Sequence, residues 1–304
     1  MTIKIGTVGS PAMLAGDFSR RRDLVARVAE QGLDHLFIAD HVSFLGGRGM
    51  DGMINAATLA AMQPELTVCV GVYLLALRHP VPVARQIASL AQSAPGRLIL
   101  GVGVGGEDRH EIEVCGVDPK TRGRRTDEAL TALRGLLYGE SFSMSGEFYE
   151  FEEALILPAP DPPVPLVIGG RSTAAVERAA RFGDGWLGAW CSPRRLAEVA
   201  AQIAESAPGP PREWLHGMQI WVGFDSSREA ARERLAAEME SFYRVPFESF
   251  ERYSPYGSPE EVADFLRGYV AAGCRLFNIK PVAASEELGI DGVAEVARAL
   301  RAAS

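Results

Sequence analysis

Four consecutive residues have the types that bind a phosphate. Gly169, Gly170, Arg171 and Ser172 follow an apolar run that ends at Ile168, and a helical stretch comes next. Glycine lets a ligand approach the backbone closely, because it has no Cβ. The first turn of a helix leaves amide N–H groups unpaired at the positive end of the helix dipole. The segment therefore predicts an anion cradle, and a tight turn with an N-cap is the alternative.

A histidine and two acidic residues are candidates for acid–base chemistry. His41 follows a second apolar run and can transfer a proton near neutral pH, while Asp40 beside it can orient polar groups. Glu107 follows a third run, and burial in a dry pocket would raise its pKa enough to make it an acid. The alternatives are that His41 only closes a loop and that Glu107 is a solvated carboxylate.

Glycines interrupt two further strand-like runs. Gly103, Gly105 and Gly106 stand at the end of one run, where glycine often marks the close approach of a ligand or of backbone. A flat ring lying across the strand ends would account for these glycines. Gly71 and Val72 interrupt a β-branched run, which predicts either an unusual backbone geometry or a bulge in the core.

Short apolar strands alternate with helical patterns along the whole chain. The predicted strands are Ile3–Val8, His35–Asp40, Thr67–Leu75, Leu98–Val104, Leu166–Ile168, Gly185–Ala189, Met218–Phe224 and Leu276–Lys280. The predicted helices are Asp23–Gln31, Met53–Met62, Val83–Ala94, Arg125–Leu137, Ala174–Phe182, Arg194–Ile203, Arg228–Phe242, Pro259–Ala272 and Val293–Ala302. Eight such units predict a (β/α)8 barrel, an α/β fold, as one domain over residues 1–304. A doubly wound open sheet is the alternative, but its dinucleotide fingerprint is missing after the first strand.

Three insertions depart from a minimal barrel. Ser141 to Leu157 alternates partly like a hairpin, Glu205 to Glu213 is rich in proline, and Phe242 to Gly257 is rich in aromatic residues. Long insertions on barrels commonly shape the substrate mouth.

Composition excludes several classes of protein. The net charge of −8 and the absence of a Lys/Arg run argue against nucleic-acid binding. No segment reaches the roughly 18 apolar residues that a membrane span needs, and no signal peptide is indicated. The four cysteines have no metal-knuckle or redox-pair spacing, so we expect no metal and a reducing cytoplasm.

Motifs spread over most of the chain resemble the bacterial luciferase-like monooxygenase superfamily. Within it they look like the branch that uses the deazaflavin coenzyme F-420, which includes methylenetetrahydromethanopterin reductase-like proteins. The motifs, in chain order, are Phe37–His41, Arg97–Gly103, Ile168–Ser172, Phe182–Trp186, Gly257–Val262 and Ala272–Phe277.

The resemblance implies a fold, a reaction and a site. The fold would be a TIM barrel, and the reaction a hydride transfer between coenzyme F-420 and a small organic substrate, by a cytoplasmic homodimer. The phosphate would lie on Gly169 to Ser172 and the ring near Asp40, Gly71, Val72 and Gly103 to Glu107, with a cis peptide between Gly71 and Val72. His41 matches the family's active-site histidine, and Glu107 the acid of some relatives.

Three other functions are open at this point. An FMN-dependent two-component monooxygenase would use the same fold. A barrel that binds flavin without turnover belongs to another class. A cofactor-free barrel such as an aldolase would need a Schiff-base lysine, and Lys280 is the candidate at a strand end.

Overall fold

The computed structural model describes residues 2–106 and 108–302, and all statements below concern these residues. The strands are β1 Lys4–Val8, β2 His35–Ile38, β3 His41–Phe44, β4 Arg48–Met50, β5 Thr67–Leu74, β6 Leu98–Gly103, β7 Phe142–Ser145, β8 Glu150–Ala154, β9 Leu166–Gly169, β10 Gly185–Ala189, β11 Gly217–Gly223 and β12 Leu276–Val282. The helices are α1 Pro11–Leu14, α2 Phe18–Glu30, α3 Gly52–Met62, α4 Pro80–Ser93, α5 Arg109–Val114, α6 Arg122–Leu136, α7 Thr173–Phe182, α8 Pro193–Ser206, α9 Arg228–Tyr243, α10 Pro259–Ala271 and α11 Glu286–Ala302.

Eight of these strands close a barrel within the described residues. Their spatial order is β1, β12, β11, β10, β9, β6, β5 and β2. Neighbours such as β1 and β12, or β5 and β6, run parallel. Each predicted strand is present in the barrel, and the predicted (β/α)8 fold is confirmed. Parallel strands expose their carboxyl ends on one side of the barrel, so the residues that follow them are placed to form a site.

Two hairpins extend beyond the barrel. The antiparallel pair β7–β8 lies within the predicted insertion Ser141 to Leu157. The pair β3–β4 was not predicted, and it places His41 opposite Met50 in an extended segment rather than in a simple loop. None of the described helices is long and apolar enough to cross a membrane.

The chain groups into two compact units. The first contains Met1–Phe37, Leu187–Glu205 and Gly209–Ser304, and the second contains Ile38–Trp186 and Ser206–Pro208. All residues of the predicted site belong to the second unit. The prediction of a single domain over the whole chain stays a prediction.

In the first unit, two buried polar side chains contact each other beside a glycine. Gly6 on β1 is in register with His35 on β2 and Asn278 on β12, and His35 Nε2 lies 2.8 Å from Asn278 Oδ1. A Cβ at Gly6 would stand 2.4 Å from the His35 ring, so only glycine fits there. Both polar side chains are fully buried, which makes this contact sensitive to protonation.

We expect the protein to lose stability in acid because of two buried histidines. Burial lowers the pKa of His35 to about 4, and burial together with Arg275 lowers that of His216 to about 4. The unfolded chain binds these protons with a pKa near 6.5, so stability is complete above that value and falls as the pH drops toward 4. At a pH of about 5, each histidine should lower the free energy of unfolding by about 2 kcal/mol relative to neutral pH. Urea unfolding measures this loss.

A matched pair of variants separates His35 from general acid effects. His35→Gln removes the titrating group. Between neutral and acidic pH, this variant should therefore lose about 2 kcal/mol less stability than the wild type loses. His110→Gln, at an exposed position, should follow the wild type. Equal pH dependence in His35→Gln and the wild type would contradict the assignment.

Candidate active site

Asp40 joins three segments of the second unit. Its buried carboxylate accepts two hydrogen bonds from the Arg78 guanidinium, at 2.7 and 2.9 Å. It also accepts from the backbone N–H groups of Gly52 and Leu74, both at 2.9 Å. Arg78 in turn lies 4.4 Å from the centroid of the Tyr73 ring. Protein donors therefore reach both carboxylate oxygens, and Asp40 fixes the ends of β5 and the start of α3. Its predicted contact with a cofactor stays a prediction.

Val72 forms an apolar platform against the neighbouring strands. Strand β5 has one more residue than β6 between the pairs Val70–Leu100 and Tyr73–Val102, which is a β-bulge. The Gly71–Val72 peptide bond is cis, as the resemblance implies. The Val72 side chain reaches over β6 as far as β9, and it remains half-buried.

The glycines of β6 and β9 make room for this platform. A Cβ at Gly103 would lie 2.3 Å from Val72 Cγ2, and one at Gly169 would lie 2.7 Å from Val72 Cγ1. A Cβ at Gly101 would lie 2.4 Å from the carbonyl oxygen of Val70. Close contact with the neighbouring strand accounts for the missing Cβ at Gly103, and the predicted contact of Gly103 with a flat ring stays a prediction. A missing Cβ admits neighbouring backbone or a ligand equally, so the sequence alone could not distinguish the two at Gly103.

Gly105 and Gly106 are required for a different reason. Their φ angles are +67° and +134°, a region that L side chains rarely adopt. The backbone can therefore turn sharply at these two glycines after β6. Glu107, the predicted acid, lies outside the described residues, and its role stays a prediction.

His41 forms a dyad with Glu111, which the sequence analysis did not single out. The His41 Nδ1 atom lies 3.1 Å from Glu111 Oε2, and the Glu111 side chain is buried. Glu111 Oε1 accepts from the backbone N–H groups of Val42 at 2.6 Å and Ser43 at 3.2 Å. An ionised carboxylate only accepts, so Nδ1 is the donor and Nε2 is the nitrogen left for a substrate proton.

The same helix anchors the rest of the β3–β4 hairpin. Asp108 accepts from the backbone N–H of Leu45 at 2.7 Å and caps α5 through the N–H of His110 at 2.9 Å. The Leu45 hydrogen bond lowers the pKa of Asp108. The signal for this arrangement was the spacing Asp108-x-x-Glu111, which is typical of a helix start. Sequence alone did not show that both carboxylates bind the backbone of a hairpin 63 to 69 residues upstream in the chain.

The phenyl ring of Phe44 covers one face of the histidine. The His41 and Phe44 rings stack with their centroids 4.1 Å apart. The His41 side chain is 23% exposed, so the imidazole is held on two sides but is still accessible. This geometry is compatible with proton transfer by His41, whose catalytic role stays a prediction.

The glycine turn has the shape that the sequence predicted. Ser172 is the N-cap of α7, and its Oγ accepts from the Ala175 N–H at 3.2 Å. Gly170 has a φ of +127°, and its carbonyl accepts from Trp186 Nε1 at 2.7 Å. Gly170, Arg171 and Ser172 are exposed at the positive end of the helix. The N-cap is confirmed, and phosphate binding at the same turn stays a prediction.

No cluster of acidic, histidine or cysteine side chains in the part of the chain that the structure describes could hold a metal ion. The fold is a (β/α)8 barrel, and the candidate site residues lie at or after the carboxyl ends of its strands. The chain belongs to the luciferase-like monooxygenase family, whose model matches residues 2–254.

Relatives and solved structures agree with this family. An uncharacterised protein of Mycobacterium tuberculosis is 35% identical over 161 residues, which are 53% of this chain and 55% of that protein, so the match spans about half of each. An F-420-dependent glucose-6-phosphate dehydrogenase of Kineococcus radiotolerans is 28% identical over 89% of both chains. The structure of an F-420-dependent secondary alcohol dehydrogenase with an F-420–acetone adduct has a TM-score of 0.85 at 21% identity, covering 99% of this chain and 100% of that one.

Proposed function

We propose that this protein is an oxidoreductase that transfers a hydride between coenzyme F-420 and a small organic substrate. The observation that carries the proposal is the arrangement in residues 38–186: a half-buried Val72 platform, an exposed helix N-terminus after a glycine turn, and an accessible His41–Glu111 dyad. The F-420-dependent name of the Kineococcus relative, which matches over most of its length, supports the choice of cofactor.

The residues present fit a deazaflavin. The Val72 side chain offers an apolar surface for a flat ring, and the backbone after β6 carries no side chains at Gly105 and Gly106. Gly169, Gly170, Arg171 and Ser172 would hold the phosphate. When bound, the deazaflavin supplies the carbon that carries the hydride.

The protein's own part in the reaction is proton transfer and positioning. With Nδ1 donating to Glu111, His41 Nε2 takes a proton from the substrate oxygen during oxidation or returns it during reduction. Glu111 fixes the ring and stabilises its charged form. Asp40 and Arg78 hold the end of β5, which carries the platform. Glu107 remains a second candidate acid.

Titration of the full chain with oxidised F-420 and with FMN tests the proposal. We expect micromolar or tighter binding of F-420 and weaker binding of FMN. Binding of FMN without binding of F-420 would overturn the proposal in favour of the FMN-dependent monooxygenase. Binding of F-420 without turnover of any alcohol or carbonyl compound would favour the flavin-binding barrel.

A charge at the helix start tests the phosphate site separately. Thr173 is the exposed first residue of α7, and an aspartate there favours the helix but repels a phosphate. Thr173→Asp should weaken F-420 binding about tenfold while the melting temperature stays the same or rises. Thr173→Asn, which has the same shape without the charge, should bind F-420 like the wild type. Equal F-420 affinities of the two variants would show that the phosphate does not bind at this turn.

We also propose that the protein is a cytoplasmic homodimer. Ile54 on α3 is 67% exposed, and a large apolar side chain at such a position suits an interface. Light scattering of the wild type and of Ile54→Glu measures the oligomeric state directly.

A further inference from the structure

A lysine in the first unit packs against aromatic rings. Lys280 Nζ lies 3.4 Å from the centroid of the Trp221 ring and 4.9 Å from that of Phe242. Among the described residues, Lys280 forms no hydrogen bond or ion pair. Its side chain is half-buried, so part of it packs against the rings while the ammonium group can still donate to a ligand.

More rings continue from this lysine. The Trp221 Nε1 atom donates to Tyr243 Oη at 3.1 Å, and the Tyr243 ring packs against Trp190 at 5.0 Å and Phe250 at 5.1 Å. We call these six residues the Lys280 cluster. Trp190 follows β10, while Trp221 and Lys280 are in register near the ends of β11 and β12. The cluster is therefore built at the carboxyl ends of three neighbouring strands.

The charge of Lys280 is available to a ligand at neutral pH. Burial lowers the pKa of Lys280 to about 8, and the carboxylates of Glu238 and Glu286 act in the opposite direction. The group is thus mostly an ammonium at neutral pH, and contact with the ring faces stabilises the cation without using its N–H donors. A ligand oxygen that accepts from Nζ would supply the missing hydrogen bond.

We propose that the Lys280 cluster binds a planar organic acid, with the carboxylate on Lys280 Nζ and the flat part of the ligand against the aromatic rings. A charge-assisted hydrogen bond in a partly dry site accounts for the carboxylate. The aromatic rings, whose centroids lie 5.0 to 5.6 Å apart, offer faces and edges against which a planar group can pack. That this acid is a substrate rests on the proposed function, whereas its binding does not.

The ligand-binding step is tested without any cofactor. Benzoate, benzyl alcohol and acetate are titrated into the full chain and followed by calorimetry. Benzoate should bind more tightly than the other two probes, because it alone has both the charge and the ring. Benzoate binding no tighter than benzyl alcohol, or no tighter than acetate, would overturn the proposal. Since F-420 is absent, failure here leaves the F-420 titration of the proposed function unaffected.

Variants assign the effect to Lys280. Lys280→Met should weaken benzoate binding at least about tenfold and leave benzyl alcohol unchanged. Lys280→Arg should retain benzoate binding, and Phe242→Ala should weaken both aromatic probes. Lys120→Met, at an exposed loop position, is the control and should match the wild type. Benzoate binding by Lys280→Met at wild-type affinity would overturn the proposal. If Lys280→Met does not fold, Lys280→Arg decides the question instead. A preference of this variant for benzoate over benzyl alcohol supports the proposal, and loss of that preference overturns it.

Discussion

Gly103→Ala is expected to lower the free energy of unfolding by about 1–3 kcal/mol, because it overfills the space below Val72. The new Cβ would stand 2.3 Å from Val72 Cγ2 and 3.1 Å from Val72 Cβ, so the side chain has to move. Urea unfolding measures the loss of stability. The same variant should weaken F-420 binding, because the proposed platform is displaced.

A double variant separates this contact from a general intolerance of alanine in β6. Val72→Ala removes the Cγ atoms, so Gly103→Ala combined with Val72→Ala should be more stable than the two single losses predict, by about 1 kcal/mol or more. Gly101→Ala is the control, because its Cβ would meet the backbone oxygen of Val70 at 2.4 Å, which no truncation at Val72 removes. If Val72→Ala rescues both glycine variants, or neither of them, the proposed contact between residue 103 and the Val72 side chain is contradicted.

The barrel could be predicted from the sequence because its signals are local. Each strand is a short apolar run, and the turn Gly169 to Ser172 combines the end of one run with an N-cap, which the structure confirms. The length of each apolar run and the residues that flank it can be read directly from the sequence. The order of parallel neighbours then follows from the βα alternation.

The site could be predicted only where its residues follow a strand directly. His41 and Asp40 were singled out as candidates in this way. Glu111 was missed because its role depends on a hairpin that the sequence does not indicate, and its partners Val42 and Ser43 are distant in the chain. The role of Asp40 was also hidden, since its four donors come from segments with no common pattern. Packing between distant segments decides such contacts, and local propensity does not encode it.

His41→Ala should lower turnover by about a hundredfold to ten-thousandfold, the usual contribution of a positioned general acid or base. The affinity for F-420 should stay within about twofold of the wild type, because the histidine acts on the substrate proton. Turnover is followed by the change in deazaflavin absorbance with the most active alcohol or carbonyl substrate. Unchanged turnover would exclude the catalytic role, and lost F-420 binding would make His41 a positioning residue.

Glu111→Gln tests whether the carboxylate acts through the histidine. A glutamine amide facing Nδ1 would make that nitrogen the acceptor and place the proton on Nε2, the wrong tautomer for taking a proton from an alcohol. Turnover should fall about a hundredfold or more, with a changed pH profile. Glu113→Gln, an exposed position on the same helix, should be neutral. In a mechanism where Glu111 acts only through His41, the double variant His41→Ala with Glu111→Gln should be no slower than His41→Ala alone. Additive losses would show that Glu111 contributes to the reaction independently of His41.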